Sequence, residues 1–539
     1  MKCFRILAAC AMALALVFPW AAPAQKPERW TLTILHSNDT HSRLQAVNRF
    51  DSTCTDKEKA EKQCFGGMAR LAHKAHEILD EVKAAKGNAL FLDAGDPFQG
   101  SLFYTHYKGK AELAVMNLMR YDAMAIGNHE FDDGPKPLAE FIRGARFPVV
   151  SANIRAANDR DLAGRIRSSV VVTRGGRKIG IVGVTTEDTP SIANPGPNIR
   201  FVKAETALRP VIDRLRRDGV DIIVALSHLG LARDKEIAAA VEGIDVIVGG
   251  HSHTLLSNSI QGAAGPYPVV AKSPRGSNVL IVQAYAYTRY LGRIDVTFDR
   301  KGVAHAWSGD PIPLVQDIPE DPKVAAEIAR LAGPLEAVRT RVIGAAAADL
   351  VQANCRKEEC LMGSVIADAI LDKVKHLGVT AAIQNGGGVR AAIGKGEVTM
   401  GHVLTVLPFQ NVIATMGIKG SDLVAALENG VGGVETGAGR FPQVAGMRYV
   451  WDPAAPAGKR IVAVEMRRAD GSFAPLDPGA IYKIATNEFM RRGGDGYTIF
   501  RDRAIDPYDF GPGLEDTVAA YIQTRSPIAA TVEGRIRTK

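Results

Sequence analysis

Residues 89–101, ALFLDAGDPFQGS, and residues 123–134, AMAIGNHEFDDG, share one design. A short apolar run stops abruptly at a glycine-bearing polar cluster. Short apolar runs bounded by such signals read as buried strands. The design recurs on both sides. Residues 32–35 precede Asp39-Thr40-His41, residues 222–226 precede Ser227-His228, and residues 246–248 precede Gly249-Gly250-His251-Ser252-His253. Between the first two strands, Met68, Leu71, Ala75, Ile78, Leu79 and Val82 recur at helical spacing. Strands alternating with helices predict an α/β domain over residues 31–310. In such a sheet the carboxyl ends of adjacent strands gather on one edge, so the five clusters can meet there.

Taken singly, each cluster reads as an ordinary loop or a satisfied buried imidazole. Five in order, each at a strand end, do not. Asp, His and Asn offer oxygen and nitrogen donors without a thiolate, which suits zinc, manganese or iron. An aspartate can bridge two such ions about 3.5–4 Å apart, as two-metal phosphoester hydrolysis requires. His129 adjoins Asn128, and Asp132 follows three residues later. A carboxylate so placed can hold the imidazole in one tautomer and favour its charged form. The remaining histidines read more simply. His36 falls outside the ligand pattern, and His73 and His76 lie one turn apart on the wet face of a predicted helix. His106, His305, His376 and His402 have no usable partner spacing.

Pro311, Pro313, Pro319 and Pro322 mark a boundary near residues 311–345. Residues 323–341 then read as a linker helix interrupted at Gly333-Pro334, and a second domain follows. Its motifs are Cys355 to Cys360 with Met362-Gly363-Ser364 after it, NGGGVR at 385–390, LPFQN at 407–411 and NEFMRRGGDGY at 487–497. Glycines let backbone approach a ligand. Arg356 and Arg390 can clamp an anion with paired donors. Phe409 and Phe489 can sandwich a flat base, and Asp495 can accept from ribose hydroxyls.

Composition narrows the class. Of 539 residues, 46% are hydrophobic and 23% charged, which excludes a disordered chain. The 53 glycines show no three-residue period, so collagen is excluded, and a single long apolar stretch excludes a multi-span membrane protein. That stretch reads as an export signal: Lys2 and Arg5, an apolar segment 6–18, then Ala22-Pro23-Ala24, with cleavage expected after Ala24. An uncleaved anchor is the alternative, and Cys10 sits too early in the stretch for a lipid box. No C-terminal lipid anchor is expected. Residues 1–24 hold two basic residues and no acidic one, so their loss takes the net charge from +8 to +6. That modest excess suits an anionic substrate and does not imply a nucleic-acid polymer. Four cysteines remain, and an even count in an exported chain favours disulfides. Proximity favours Cys54–Cys64 and Cys355–Cys360 among the three pairings. A zinc knuckle is disfavoured because neither pair has two-residue spacing.

The segments ILHSNDTHS (34–42), LDAGDPFQGS, IGNHEFDDG and GGHSHT (249–254) together resemble the calcineurin-like metallophosphoesterases, and within them the 5′-nucleotidase family. The resemblance covers essentially the whole mature chain. It implies an α/β fold of two domains: a four-layer αββα metallophosphoesterase sandwich over 25–320, a linker helix over 321–345, and an α/β nucleotide-binding domain over 346–539. It implies that Asp39, His41 and His253 hold one divalent ion, Asn128, His228 and His251 a second, and that Asp96 bridges them. Zinc comes first, with manganese or another ion as alternatives. Animal ecto-enzymes carry Asn or Gln at the last of these positions, whereas this chain keeps His253, as the wider superfamily does. The catalytic dyad would be His129 and Asp132. Arg356, Asn385, Arg390, Phe409, Phe489 and Asp495 would bind the nucleotide. The paired cysteines also resemble the animal ecto-enzyme.

The expected activity is hydrolysis of nucleoside 5′-monophosphates in the periplasm or outside the cell, with no stable membrane anchor after signal cleavage. The oligomeric state is left open. A wider substrate range of NAD, nucleoside diphosphates or UDP-sugars is the alternative. The sulfur-oxidation branch of the superfamily is disfavoured by Phe409, Phe489 and Asp495. A catalytically dead receptor is disfavoured by the complete ligand set and dyad.

Overall fold

The computed structural model describes residues 29–539 except 49, 50, 52, 53, 55 and 437. The expected signal segment 1–24 lies outside the described residues. The first half of the chain builds two sheet layers. In one, strand Trp30–Ser37 runs parallel to Asn88–Asp93, which runs parallel to Ala123–Ala125 and then Val149–Val150. Tyr290–Phe298 and Ala304–Gly309 extend its other side antiparallel. In the second layer, Arg177–Thr185, Ile222–His228, Val246–Gly249 and Asn278–Val282 run parallel, flanked by antiparallel Ser169–Arg174 and Val269–Lys272.

Strand alternation explains the packing, because successive side chains leave opposite faces. Leu32, Ile34, Leu90, Leu92, Ala123 and Ala125 meet Ile179, Ile181, Val224, Leu226, Val246 and Val248 in the core between the sheets. The interposed Leu35, Phe91 and Met124 face the helical layer of Met68–Ala84 and its neighbours. Ile223, Ala225 and Ile247 face helices Ala204–Arg217 and Leu231–Ala240. The result is a four-layer αββα sandwich, as expected. Each buried Leu or Ile contributes about 1.5–3 kcal/mol of apolar burial, which fixes strand register and therefore where each strand ends.

Asp321 caps the next helix, Pro322–Ala332, accepting from the N–H groups of Lys323 and Val324. The helix stops before Pro334, which cannot continue it, and Leu335–Thr340 forms a second short helix. Val324, Ile328, Leu331, Leu335 and Val338 join a core that runs from Leu71 and Ala75 to Val365 and Leu514. His76, expected on the wet face, instead brings Nδ1 to 3.3 Å from Asp321 Oδ2 and Nε2 to 3.2 Å from Met119 O. The arrival of the linker helix covers it.

The C-terminal half holds a five-stranded sheet in the order Pro442–Ala445, Ala381–Asn385, Ile481–Asn487, Ile413–Lys419, Ile505–Tyr508. Helix Leu361–Val374 packs against it, and a four-stranded sheet led by Met447–Trp451 and Ile461–Arg467 completes the domain. Cys54–Cys64 and Cys355–Cys360 are both bonded, as expected. Among the described residues, no helix is long and apolar enough to cross a membrane.

Candidate metal centre

Three polar clusters leave the first sheet and two leave the second, so the site straddles the seam between them. Short bonds close that seam. His251 N–H donates to Asp39 Oδ1 at 2.9 Å, and His228 Nδ1 lies 2.7 Å from Ala94 O. Asp39, His41, Asp96, His251 and His253 all have positive φ. Non-glycine residues stay in that region only where surrounding contacts over-determine them. Gly127 is required for another reason: a Cβ there would stand 2.0 Å from Asp96 Oδ1.

The ligand atoms converge. Asp39, His41 and His253 each bring one within 4.8 Å of the others, and so do Asp96, His228 and His251. His41 Nε2 and His253 Nε2 stand 2.9 Å apart, and His228 Nε2 stands 2.9 Å from Asp96 Oδ2. Asn128 is fully buried. Its Nδ2 donates to Tyr508 Oη at 3.4 Å, and its Oδ1 meets no donor among the described residues. An unsatisfied buried acceptor costs about 1–3 kcal/mol, and a cation would satisfy it. The donor set therefore fits divalent ions.

Electrostatics point the same way. Burial holds the His41 and His253 imidazoles well below their ordinary pKa and His251 at about 3. Neutral rings keep lone pairs available for a metal. Burial also pushes Asp96 up, but His228 and His129 outweigh it and hold the carboxyl well below the usual range. Burial pushes His228 down, yet Asp96 and Asp39 hold it at about 10, so this pocket attracts positive charge. His129 Nδ1 meets Asp132 Oδ2 at 2.7 Å. Burial lowers its pKa, but Asp132 and Asp96 outweigh that, and the net value is about 9. Its buried Nε2 meets no partner among the described residues, and the ring lines a small cavity with His41, His253 and Phe510.

Two side chains that carry no ligand spacing hold the loops. Asn38 donates to Asp39 Oδ2 at 2.7 Å and accepts from Ala284 N–H at 3.1 Å. Gln283 donates to Gly250 O at 2.9 Å and accepts from Ser252 Oγ and Thr254 N–H, bracing the turn that bears His251 and His253. The sequence reading missed both. Their only signal was adjacency: Asn38 to Asp39, and Gln283 to the apolar run 279–282.

Of the six residues expected to bind nucleotide, four form two contacting pairs in the second domain. Asn385 Nδ2 donates to Asp495 Oδ2 at 2.7 Å, and the Arg390 guanidinium lies 5.8 Å from the Phe409 ring centre. Phe489 is 42% exposed and its ring covers Gly494, where a Cβ would come within 2.5 Å of it. Arg356 directly follows the disulfide residue Cys355. Among the described residues, none of Asn385, Arg390, Phe409, Phe489 and Asp495 hydrogen-bonds to, or stacks on, the ligand cluster. Phe510 packs against the cluster instead, its ring tilted with centres 4.4 Å from His253 and 5.6 Å from His251. Arg492 lies over Phe510, and Asp509 pairs with both Arg491 and Arg492. These C-terminal contacts were not foreseen from sequence.

A four-layer sandwich with a His/Asp cluster at its seam, joined to a second α/β domain, defines a metal-dependent phosphoesterase. The family model for calcineurin-like phosphoesterases matches residues 32–255, and that for the 5′-nucleotidase C-terminal domain matches residues 340–502. The chain is 38% identical to a 5′-nucleotidase of Bos taurus, covering 96% of this chain and 92% of the relative. It belongs to the 5′-nucleotidase family. Among solved structures, a 5′-nucleotidase precursor from Thermus thermophilus is 42% identical, with a TM-score of 0.59 over 94% of this chain and 99% of that one. The Haemophilus influenzae NAD nucleotidase is 26% identical, with a TM-score of 0.82 over 95% and 100%.

Proposed function

We propose that this protein is an exported 5′-nucleotidase that hydrolyses nucleoside 5′-monophosphates to nucleoside and phosphate at a two-metal centre. The observation that carries this reading is that Asp39, His41 and His253, and likewise Asp96, His228 and His251, bring ligand atoms within 4.8 Å of one another, while the buried Asn128 amide oxygen lacks a donor among the described residues. Asp39, His41 and His253 would hold one ion, Asn128, His228 and His251 the other, and Asp96 both. Two divalent ions, zinc first, supply charge neutralisation at the phosphate and activation of the attacking water. His129, oriented by Asp132, presents an Nε2 proton to the phosphoryl group as negative charge builds on it. Arg356 and Arg390 pair with phosphate oxygens, Phe409 and Phe489 hold the base, and Asp495 beside Asn385 accepts from the ribose.

In this reading residues 25–320 cleave what residues 346–539 grip, and the segment 321–345 joins them. A nucleotide would bridge the ligand cluster and the base and ribose residues, and in this reading closure of the two domains around it sets turnover. The relative of higher identity superposes less closely than the one of lower identity. That order supports domains that shift as bodies. The two disulfides, with the export signal, support a periplasmic or secreted location.

Hydrolysis of AMP, ADP, NAD and UDP-glucose by metal-loaded protein tests the reading, followed as free phosphate for AMP and ADP and as the released mononucleotide for NAD and UDP-glucose. No release from AMP would overturn it. The likeness to an NAD nucleotidase favours one second reading, cleavage of pyrophosphate-linked substrates. NAD cleaved much faster than AMP would replace the first reading with the second. Substrate grip has its own test. Base stacking contributes about 1–3 kcal/mol per aromatic contact, so replacing both Phe409 and Phe489 with Ala should raise KM for AMP by roughly 10-fold or more. A simple aryl phosphate should be hydrolysed almost as before. Equal loss of both activities would show that the phenylalanines do not act through base binding and would remove the platform.

A further inference from the structure

Glu130 belongs to none of the roles above, yet it is fully buried on the one-turn helix His129–Phe131. Its Oε2 accepts from the N–H groups of Gly127 at 2.6 Å and Asp96 at 3.2 Å. Its Oε1 accepts from Phe98 N–H at 3.3 Å. One carboxylate therefore binds the backbone of two loops that leave two different strands. One loop carries Asp96, and the other carries Asn128 and His129.

We infer that Glu130 is a positioning residue that sets the geometry of Asp96 against the Asn128–His129 turn, so that metal retention depends on its carboxylate. The inference rests on the metal-centre reading above. Gly95 at φ 94° and Asp96 at φ 58° turn their backbone into the left-handed region. That turn aims the Asp96 N–H inward, where Glu130 is its acceptor. Asp96 is then held at both ends. Its N–H is fixed by Glu130, and its Oδ1 accepts from His129 N–H at 3.0 Å. Oδ2 is left facing His228 Nε2. The chemistry also explains the residue type. Three N–H donors converge, and an ionised carboxylate only accepts. A glutamine would turn an NH₂ toward one of those donors.

The test uses the full protein loaded with Co(II), which reports ligand geometry through its visible absorption. Metal affinity is read by competition with a chelator, alongside thermal stability. Glu130→Gln should bind metal about 10–100-fold more weakly, the usual effect of losing an outer partner of a metal site, and should alter the Co(II) spectrum. Excess metal should recover part of kcat. Glu130→Asp keeps a carboxylate on a shorter stem, so its loss should be intermediate. Unchanged affinity and spectrum in Glu130→Gln, even with a lower Tm, would overturn the inference. Should Glu130→Gln not fold, Glu130→Asp decides: wild-type affinity and spectrum there would overturn it equally. If the unaltered protein takes up no divalent metal, the metal-centre reading fails instead.

Discussion

Asp96→Ala should lower AMP hydrolysis by about 10³-fold or more and release bound metal. Its Oδ2 stands 2.9 Å from His228 Nε2 and its Oδ1 holds His129 N–H, so one substitution reaches both halves of the cluster. Metal polarisation of a phosphoryl group supplies several kcal/mol, and each 1.36 kcal/mol is about a factor of ten. Asp96→Asn keeps the shape while losing the charge, and it should retain less metal than wild type. Elemental analysis and phosphate release are measured on the same preparations. Full activity in either variant, with no bound metal, would end the two-metal reading.

His129→Ala separates chemistry from binding. The ring lines the cavity beside His41 and His253, but its Nδ1 is committed to Asp132. Loss of a positioned proton donor costs roughly 10²–10⁴-fold in kcat, so kcat should fall by that range while bound metal stays. Asp132→Asn should fall between wild type and His129→Ala, because the amide still reaches Nδ1 but no longer favours the charged ring. An unchanged kcat in His129→Ala would leave the histidine without a catalytic role.

Much of this site is legible in the order of residues alone. A strand that ends in a polar cluster is a local pattern, and the alternation along Leu32, Ile34 and Leu35 encodes which faces are buried. Parallel strands with fixed register deliver their carboxyl ends to one edge. Strand ends, read with the family resemblance, therefore name Asp39, His41, Asp96, Asn128, His228, His251 and His253. The two disulfides follow from cysteine count and proximity.

Other features are invisible there because they depend on which loops dock. Asn38, Glu130 and Gln283 act through bonds to backbone groups of neighbouring loops, and such bonds have no sequence spacing. His76 is misplaced because the linker helix that covers it arrives from a segment far along the chain. Tyr508 and Phe510 meet Asn128, His251 and His253 through the way one domain seats on the other. Local periodicity and side-chain chemistry set the elements, their buried faces and the ligand types, so a linear reading recovers them. Which polar groups satisfy the buried loop backbone, and which surface of the second domain covers the metal centre, emerge only when the chain is packed. Hydrogen-bond satisfaction and domain seating are properties of the whole folded molecule, with no counterpart in any short stretch of it.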